Sequence, residues 1–285
     1  MRDFTINIYK SLLFSLSEKN YMFLSFSDYM TGQLIAKQVI QNELNSTSNT
    51  FEFGRCLLRH DVDKKPINSL RSAIIENELG IKGSYYFRIV PESYDFNIMQ
   101  KIADLGHEIG YHYEDVDLVL KSQKSELMNQ DYEINMEKLI DFAYESFCKN
   151  LDVFRRNFDI STICMHGSPT SRFDNKIIWE KYNYQDLNIV GEPYLDINWQ
   201  DFGYLTDTGR KWNKNEISVR DKVNSKYKLS FKSTNEIIAN IDKLPQKIMF
   251  TIHPQRWNEN LFAWLDEYVS QNLKNIVKKY FYVRD

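Results

Sequence analysis

The sequence predicts an α/β protein with parallel strands and outer helices, and three observations predict it. Short apolar or aromatic runs alternate with longer amphipathic ones, the pattern of repeated β/α units. The 285 residues lie in the range that α/β barrels reach as single units. No repeat or low-complexity linker divides them, so one domain over 1–285 is expected, with residues 1–50 packing on it as a helix, a strand and a loop.

Residues 7–18 have helical spacing, Tyr21 to Phe26 reads as a short strand, and QNELNSTSNT (41–50) as a polar loop. A strand follows around Cys56 to Arg59, then a helix after Pro66, the strand GSYYFRI, a helix around Ile98 to Leu105, and the strand HEIGYH. Leu127 to Leu151 reads as one long amphipathic helix, STICMHGSP as a strand running into a polar loop, and KIMFTIHPQRW as the last strand. In NLFAWLDEYVSQNLKNIVKKYFYV, Leu261, Trp264, Leu265, Tyr268 and Val269 recur at helical spacing. A closing helix packed on the body explains that spacing better than the competing basic membrane-surface helix.

With 42% hydrophobic and 26% charged residues and no apolar run of spanning length, the chain reads as a soluble globular protein without a transmembrane segment. A formal net charge of −3 argues against nucleic acid as a partner. The three cysteines, Cys56, Cys148 and Cys164, are far apart and lack CxxC spacing, which indicates neither a disulfide framework nor a thiolate zinc site. Lys10, Ser15, Ser17, Glu18 and Lys19 interrupt the early apolar residues, so no signal peptide is expected and a reducing, cytoplasmic location is.

All five histidines lie in or just after predicted strands, in RHDVD, GHEIGYH, CMHGSP and TIHPQRW. Strand ends of parallel α/β architectures converge on one face, where a metal or acid/base centre is built. Any one of them read alone is better explained as a hydrogen-bonded strand terminus; the set is not. Asp61 and Asp63 lie two apart in an extended segment and project to one side, so both can face one centre, one binding metal and the other taking a proton. The plainer reading is a loop cap or an ion pair with Arg59 or Lys64.

In this order, RHDVD, GIKGSYYFR, LGHEIGYHYED, MHGSP and MFTIHPQRW resemble the motifs of the polysaccharide deacetylase superfamily, carbohydrate esterase family 4, across residues 59–257. The likeness is greatest to the branch associated with bacterial surface-polysaccharide gene clusters. It implies a distorted (β/α) barrel and a divalent metal, zinc by preference, that hydrolyses N- or O-acetyl groups on a sugar or glycan. It also implies Asp61 as general base, Asp63 and His112 as metal ligands, and His253 as the acid that protonates the leaving group.

The family's second histidine, four residues after His112, is here Val116. Glu114 could replace it if the chain stays extended; His166 could do so from another strand end and keeps the nitrogen-rich set that zinc prefers. His107, five residues before His112, has neither strand nor helix spacing to it and is expected to orient the loop. Trp257 is a candidate for the pocket wall. GEPYLDINWQDFGYLTDTGRKWN (191–213) reads as a substrate loop in which Asp207, Arg210 and Trp212 suit a sugar's C–H faces and hydroxyls. Arg59 and Tyr113, beside Asp61 and His112 in their motifs, complete the substrate-binding candidates. Two rival readings are a carbohydrate-binding protein without chemistry, which Val116 favours, and a phosphohydrolase of the helical HD type, which the strand character of RCLLRH opposes.

Overall fold

The computed structural model describes residues 2–33, 54–128, 133–167, 171–212 and 223–281; the expected polar loop at 41–50 and residues 168–169 of the MHGSP run lie outside them. The described strands are β1 (Tyr21–Leu24), β2 (Gly54–Val62), β3 (Ser84–Phe87), β4 (Glu108–Tyr113), β5 (Ile163–Met165), β6 (Gly203–Thr206) and β7 (Lys247–Ile252). All pair in parallel, in the order β5-β4-β3-β2-β7-β6, with β1 added on β2. One edge of β2 is shared: β1 pairs with Gly54 to Leu57, and β3 with Arg59 to Val62. The sheet curls into a half-barrel. Among the described residues β5 and β6 are its edges and do not pair, so the part of the expected distorted (β/α) barrel that is seen is this curled half-barrel.

Alternation along the strands separates two faces. Outward, Cys56, Leu58, Ile248, Phe250 and Ile252 pack with the helix Ile6–Glu18, whose Leu12, Leu13 and Leu16 are buried. A larger outward cluster joins Tyr111, Tyr113 and Ile163 to the helix Met136–Arg155 through Phe147, Leu151 and Phe154. Each such side chain contributes roughly 1.5–3 kcal/mol by leaving water. Inward, Leu57, Tyr86, Cys164, Tyr204 and Met249 form a smaller cluster. The inward surface is tight: a Cβ on Gly110 would stand 2.4 Å from the Tyr86 ring, so only glycine fits at this point of GHEIGYH.

Most expected elements appear within a few residues of their expected bounds, with three corrections. The helix expected from Leu127 is broken there: Asp115–Ser122 and the turn Lys124–Leu127 precede it, and the long helix starts at Met136, where Asn135 accepts the Lys138 N–H at 3.0 Å. The presumed substrate loop 191–213 contains β6, paired along Gly203 to Thr206 with β7. The C-terminal helix Leu261–Phe281 packs through Trp264 and a row of polar residues, while Leu261, Leu265 and Val269 face outward. None of the described helices is long and apolar enough to cross a membrane.

Candidate metal centre

Five side chains meet at the carboxyl ends of the strands. Asp61 is the penultimate residue of β2 and Asp63 follows it, its N–H donating to the Asp61 carbonyl at 3.1 Å; His112 is on β4, and His166 and His253 come directly after β5 and β7. The chain then turns sharply at Lys65, whose φ of 53° is left-handed, and Pro66 opens the next helix.

Asp63 is the centre of this group. Its Oδ1 lies 3.7 Å from His112 Nε2 and 3.6 Å from His166 Nε2, and its Oδ2 lies 4.0 Å from His253 Nε2. Gln255 Nε2 donates to Oδ2 at 3.0 Å. Burial works against ionisation of Asp63, but the imidazoles of His253, His166 and His112, with Arg256, hold its carboxyl well below the usual carboxylate range.

His112 and His253 have hydrogen-bond partners at the other ring nitrogen, and His166 has a carboxylate beside it. His112 Nδ1 is 2.9 Å from the Cys164 carbonyl, which only accepts, so the proton sits on Nδ1 and the lone pair on Nε2. Burial pushes this imidazole down to about 4, against the pull of Asp61, so it is neutral near pH 7. His166 Nδ1 lies 3.1 Å from Glu114 Oε2, within ion-pair range though out of line for a strong hydrogen bond. His253 Nδ1 lies 2.6 Å from Asp207 Oδ1. Carbonyl or carboxylate partners of this kind fix the tautomer and orientation of metal-binding histidines.

Asp63, His112 and His166 offer ligand atoms within 4.8 Å of one another. The fit to a cation rests on Asp63 Oδ1, which is buried and has no hydrogen-bond partner among the described residues. A buried carboxylate oxygen is costly to leave unpaired, and two lone-pair nitrogens beside it make a donor set that suits zinc. Asp61 and Cys164 form a second grouping with His112, but both Asp61 oxygens are engaged: Arg59 Nε donates to Oδ1 at 3.0 Å and Arg59 Nη2 to Oδ2 at 2.9 Å. The Asp61 Oδ2 atom remains 3.9 Å from His112 Nε2.

The remaining candidates fall elsewhere. Glu114 is gripped by Arg88 through two hydrogen bonds of 2.9 and 2.8 Å; burial alone would raise its carboxyl, yet His166 and Arg88 bring it down to about 2. It therefore orients His166 from behind. Val116 is fully buried in the large outward cluster. Tyr113 follows His112 by one residue and so points to the opposite face, where its hydroxyl accepts from Trp179 Nε1 at 2.9 Å. Arg59 is buried against Asp61 and stacks on the Tyr194 ring at 4.7 Å.

The loop candidates are also internal. Trp212 is fully buried and donates to Thr234 Oγ1 at 3.0 Å. Trp257 is buried and donates to Asp207 Oδ2 at 2.7 Å. Arg210 lies over the Trp264 ring at 4.7 Å and donates to backbone carbonyls. Asp207 is fully buried beneath His253 and also accepts from Arg256 Nη1 at 2.8 Å. These four side chains were expected at a ligand surface; burial and partners make them packing and orienting groups.

His60 and His107 sit on the outward face with Glu76, whose oxygens lie 2.9 Å from His60 Nε2 and 3.6 Å from His107 Nδ1. They do not reach the centre. A cleft of about 810 Å³ opens over Asp63 and His166 and is walled by Lys64, Arg88, Gln255, Arg256 and, from the C-terminal helix, Lys274. Arg88 ends GIKGSYYFR, and Gln255 and Arg256 lie in MFTIHPQRW, but no spacing rule marks which way these side chains turn, so the sequence does not single them out. No protein-family model matches the chain, and a search of curated proteins returns no match.

Proposed function

We propose that the protein is a metal-dependent hydrolase that removes N- or O-linked acetyl groups from a sugar in bacterial surface-polysaccharide biosynthesis. One observation carries the reading: Asp63, His112 and His166 bring donor atoms together, with the Cys164 carbonyl bonded to the other nitrogen of His112 and the Glu114 carboxylate beside that of His166. A divalent cation held there, zinc by preference, supplies Lewis acidity toward an acyl oxygen and toward water. Asp61, fixed in orientation by the Arg59 fork, takes the water proton. His253, with Nδ1 against Asp207, presents Nε2 on the other side of Asp63 as the proton donor to the leaving group. The cleft volume of about 810 Å³ lies within the usual range for small-ligand sites and accommodates a sugar.

A second reading, a carbohydrate-binding protein without chemistry, is favoured by the engagement of both Asp61 oxygens by Arg59. Metal content and acetate release separate the two. The expected result is one zinc per chain, lost in Asp63→Ala and in His112→Ala, with acetate released from acetylated or nucleotide-linked sugars and abolished in Asp61→Asn while zinc is retained. Metal without acetate release on any such sugar supports the second reading; a purified chain that neither holds nor takes up a divalent ion ends the first.

A further inference from the structure

The C-terminal helix Leu261–Phe281 is inverted relative to an ordinary surface helix. Glu267 (2% exposed), Gln271 and Asn275 (7%) face the body: Glu267 pairs with Lys64 at 3.2 Å, and Asn275 Nδ2 donates to the Gly209 carbonyl at 2.9 Å. On the opposite side Phe262, Leu265, Val269, Leu273 and Ile276 are exposed, from 42% at Leu265 to 80% at Phe262. At 3.6 residues per turn these five lie within about 40° of one direction, a continuous apolar stripe. Isolated exposed apolar residues need no explanation, but a contiguous stripe marks an interaction surface.

We propose that this stripe is the seat of a second copy of the same chain, docked antiparallel across a two-fold axis at Val269. The spacing is palindromic: Phe262 and Ile276 lie seven residues either side of Val269, and Leu265 and Leu273 four either side. An antiparallel copy sets Phe262 against Ile276, Leu265 against Leu273 and Val269 against itself, the self-complementarity that a two-fold interface requires. Lys274 lies about 140° round the helix from Val269 and lines the cleft, so it stays clear of the second copy, and the charge flanking the stripe is Asp266, which lies 3.8 Å from Lys65 of its own chain.

The area is sufficient. At about 100 Å² per apolar side chain, the stripe with Leu261, Tyr268 and Val277 at its margins offers roughly 800 Å² per copy, one partner's share of a standard interface. A membrane surface fits less well, because Asp266 is exposed on the flank of the stripe, where an anionic lipid would repel it. Leu273 and Val277 also line the cleft, so the second copy would extend its outer wall.

Sedimentation equilibrium of the full chain across the micromolar range, with circular dichroism to verify folding, tests the assignment. The wild type should sediment at twice the 34.0 kDa of one chain. Val269→Asp and, separately, Leu273→Asp should each weaken the dimer by about a hundredfold or more with unchanged helicity. Under mild oxidation Val269→Cys should give a covalent dimer and Ser270→Cys, on the flank, should not. A wild type that stays at 34.0 kDa, a dimer undisturbed by both Asp variants, or covalent dimers from Ser270→Cys but none from Val269→Cys overturns it. So does a monomer that co-sediments with phosphatidylserine vesicles, which would assign the stripe to a lipid surface.

Discussion

His253 Nδ1 and Asp207 Oδ1 are 2.6 Å apart, and this contact aims the other ring nitrogen of His253 at Asp63. Asp207 also accepts from the His253 backbone N–H, from Arg256 and from Trp257, so its two oxygens hold the whole HPQRW turn. Burial opposes its ionisation, but Arg256 and His253 hold its carboxyl below the usual carboxylate range. In the proposed reaction it would act only through His253.

The Asp207 arrangement predicts a coupled loss. Asp207→Asn keeps the shape but removes the charge and turns one of the two acceptor oxygens into an NH2 donor, so it cannot accept from both His253 Nδ1 and Trp257 Nε1, and should lower acetate release by about a hundredfold to ten-thousandfold at unchanged zinc content. His253→Ala should cost as much, and the double variant little more, because both remove one function. Additive losses, or a loss of zinc in Asp207→Asn, would contradict a positioning role for Asp207.

Glu114 predicts a graded effect on the metal itself. It sits behind His166, bound to Arg88 and brought down to about 2. Glu114→Gln should weaken zinc binding by roughly tenfold to a hundredfold, the usual cost of removing a group that orients a ligand, whereas His166→Ala should abolish stoichiometric binding. Calorimetric titration of the zinc-free protein measures both. If Glu114→Gln abolishes binding and His166→Ala leaves it intact, the ligand roles are reversed.

The parallel α/β class was legible because alternating apolar runs report strand and helix period directly. The centre was half legible: RHDVD and GHEIGYH mark Asp63 and His112, but that His166 rather than Glu114 turns its Nε2 to Asp63 depends on how β4 and β5 register, with His112 opposite Cys164. What misled was composition. Trp212, Arg210 and Asp207 suit a sugar by chemistry, yet β6 is only four residues long and draws the segment after it inside. Helical spacing at Leu261, Leu265 and Val269 reports an apolar face, and nothing in spacing tells whether that face turns in or out.

Glu192 predicts a pH dependence of stability. It is fully buried, and burial pushes its carboxyl up to about 7 although it accepts the N–H groups of Met165, Tyr194 and Leu195. A carboxyl raised in the folded state binds its proton more tightly there than in the unfolded chain, so its contribution is full below the unfolded value and declines as pH rises toward 7. Glu192→Gln removes this dependence. Relative to wild type the variant should gain up to about 3 kcal/mol between pH 4 and pH 8 in urea unfolding. A stability difference that does not change with pH would show that Glu192 titrates normally.

Tyr113 separates packing from binding. Its ring lies edge-on to Phe147 and Trp179, at 5.6 and 5.7 Å between centroids, on the face of β4 opposite His112. Removing the ring should cost about 3–5 kcal/mol, as for other buried aromatics. Tyr113→Phe removes only the acceptor for the Trp179 N–H and should cost about 1–3 kcal/mol, the penalty for a buried donor left unpaired. Neither zinc content nor KM should change in the Phe variant. Because the hydroxyl is turned away from the cleft, a raised KM at unchanged stability in Tyr113→Phe would place this side chain on the substrate and require β4 to present its faces in the reverse sense.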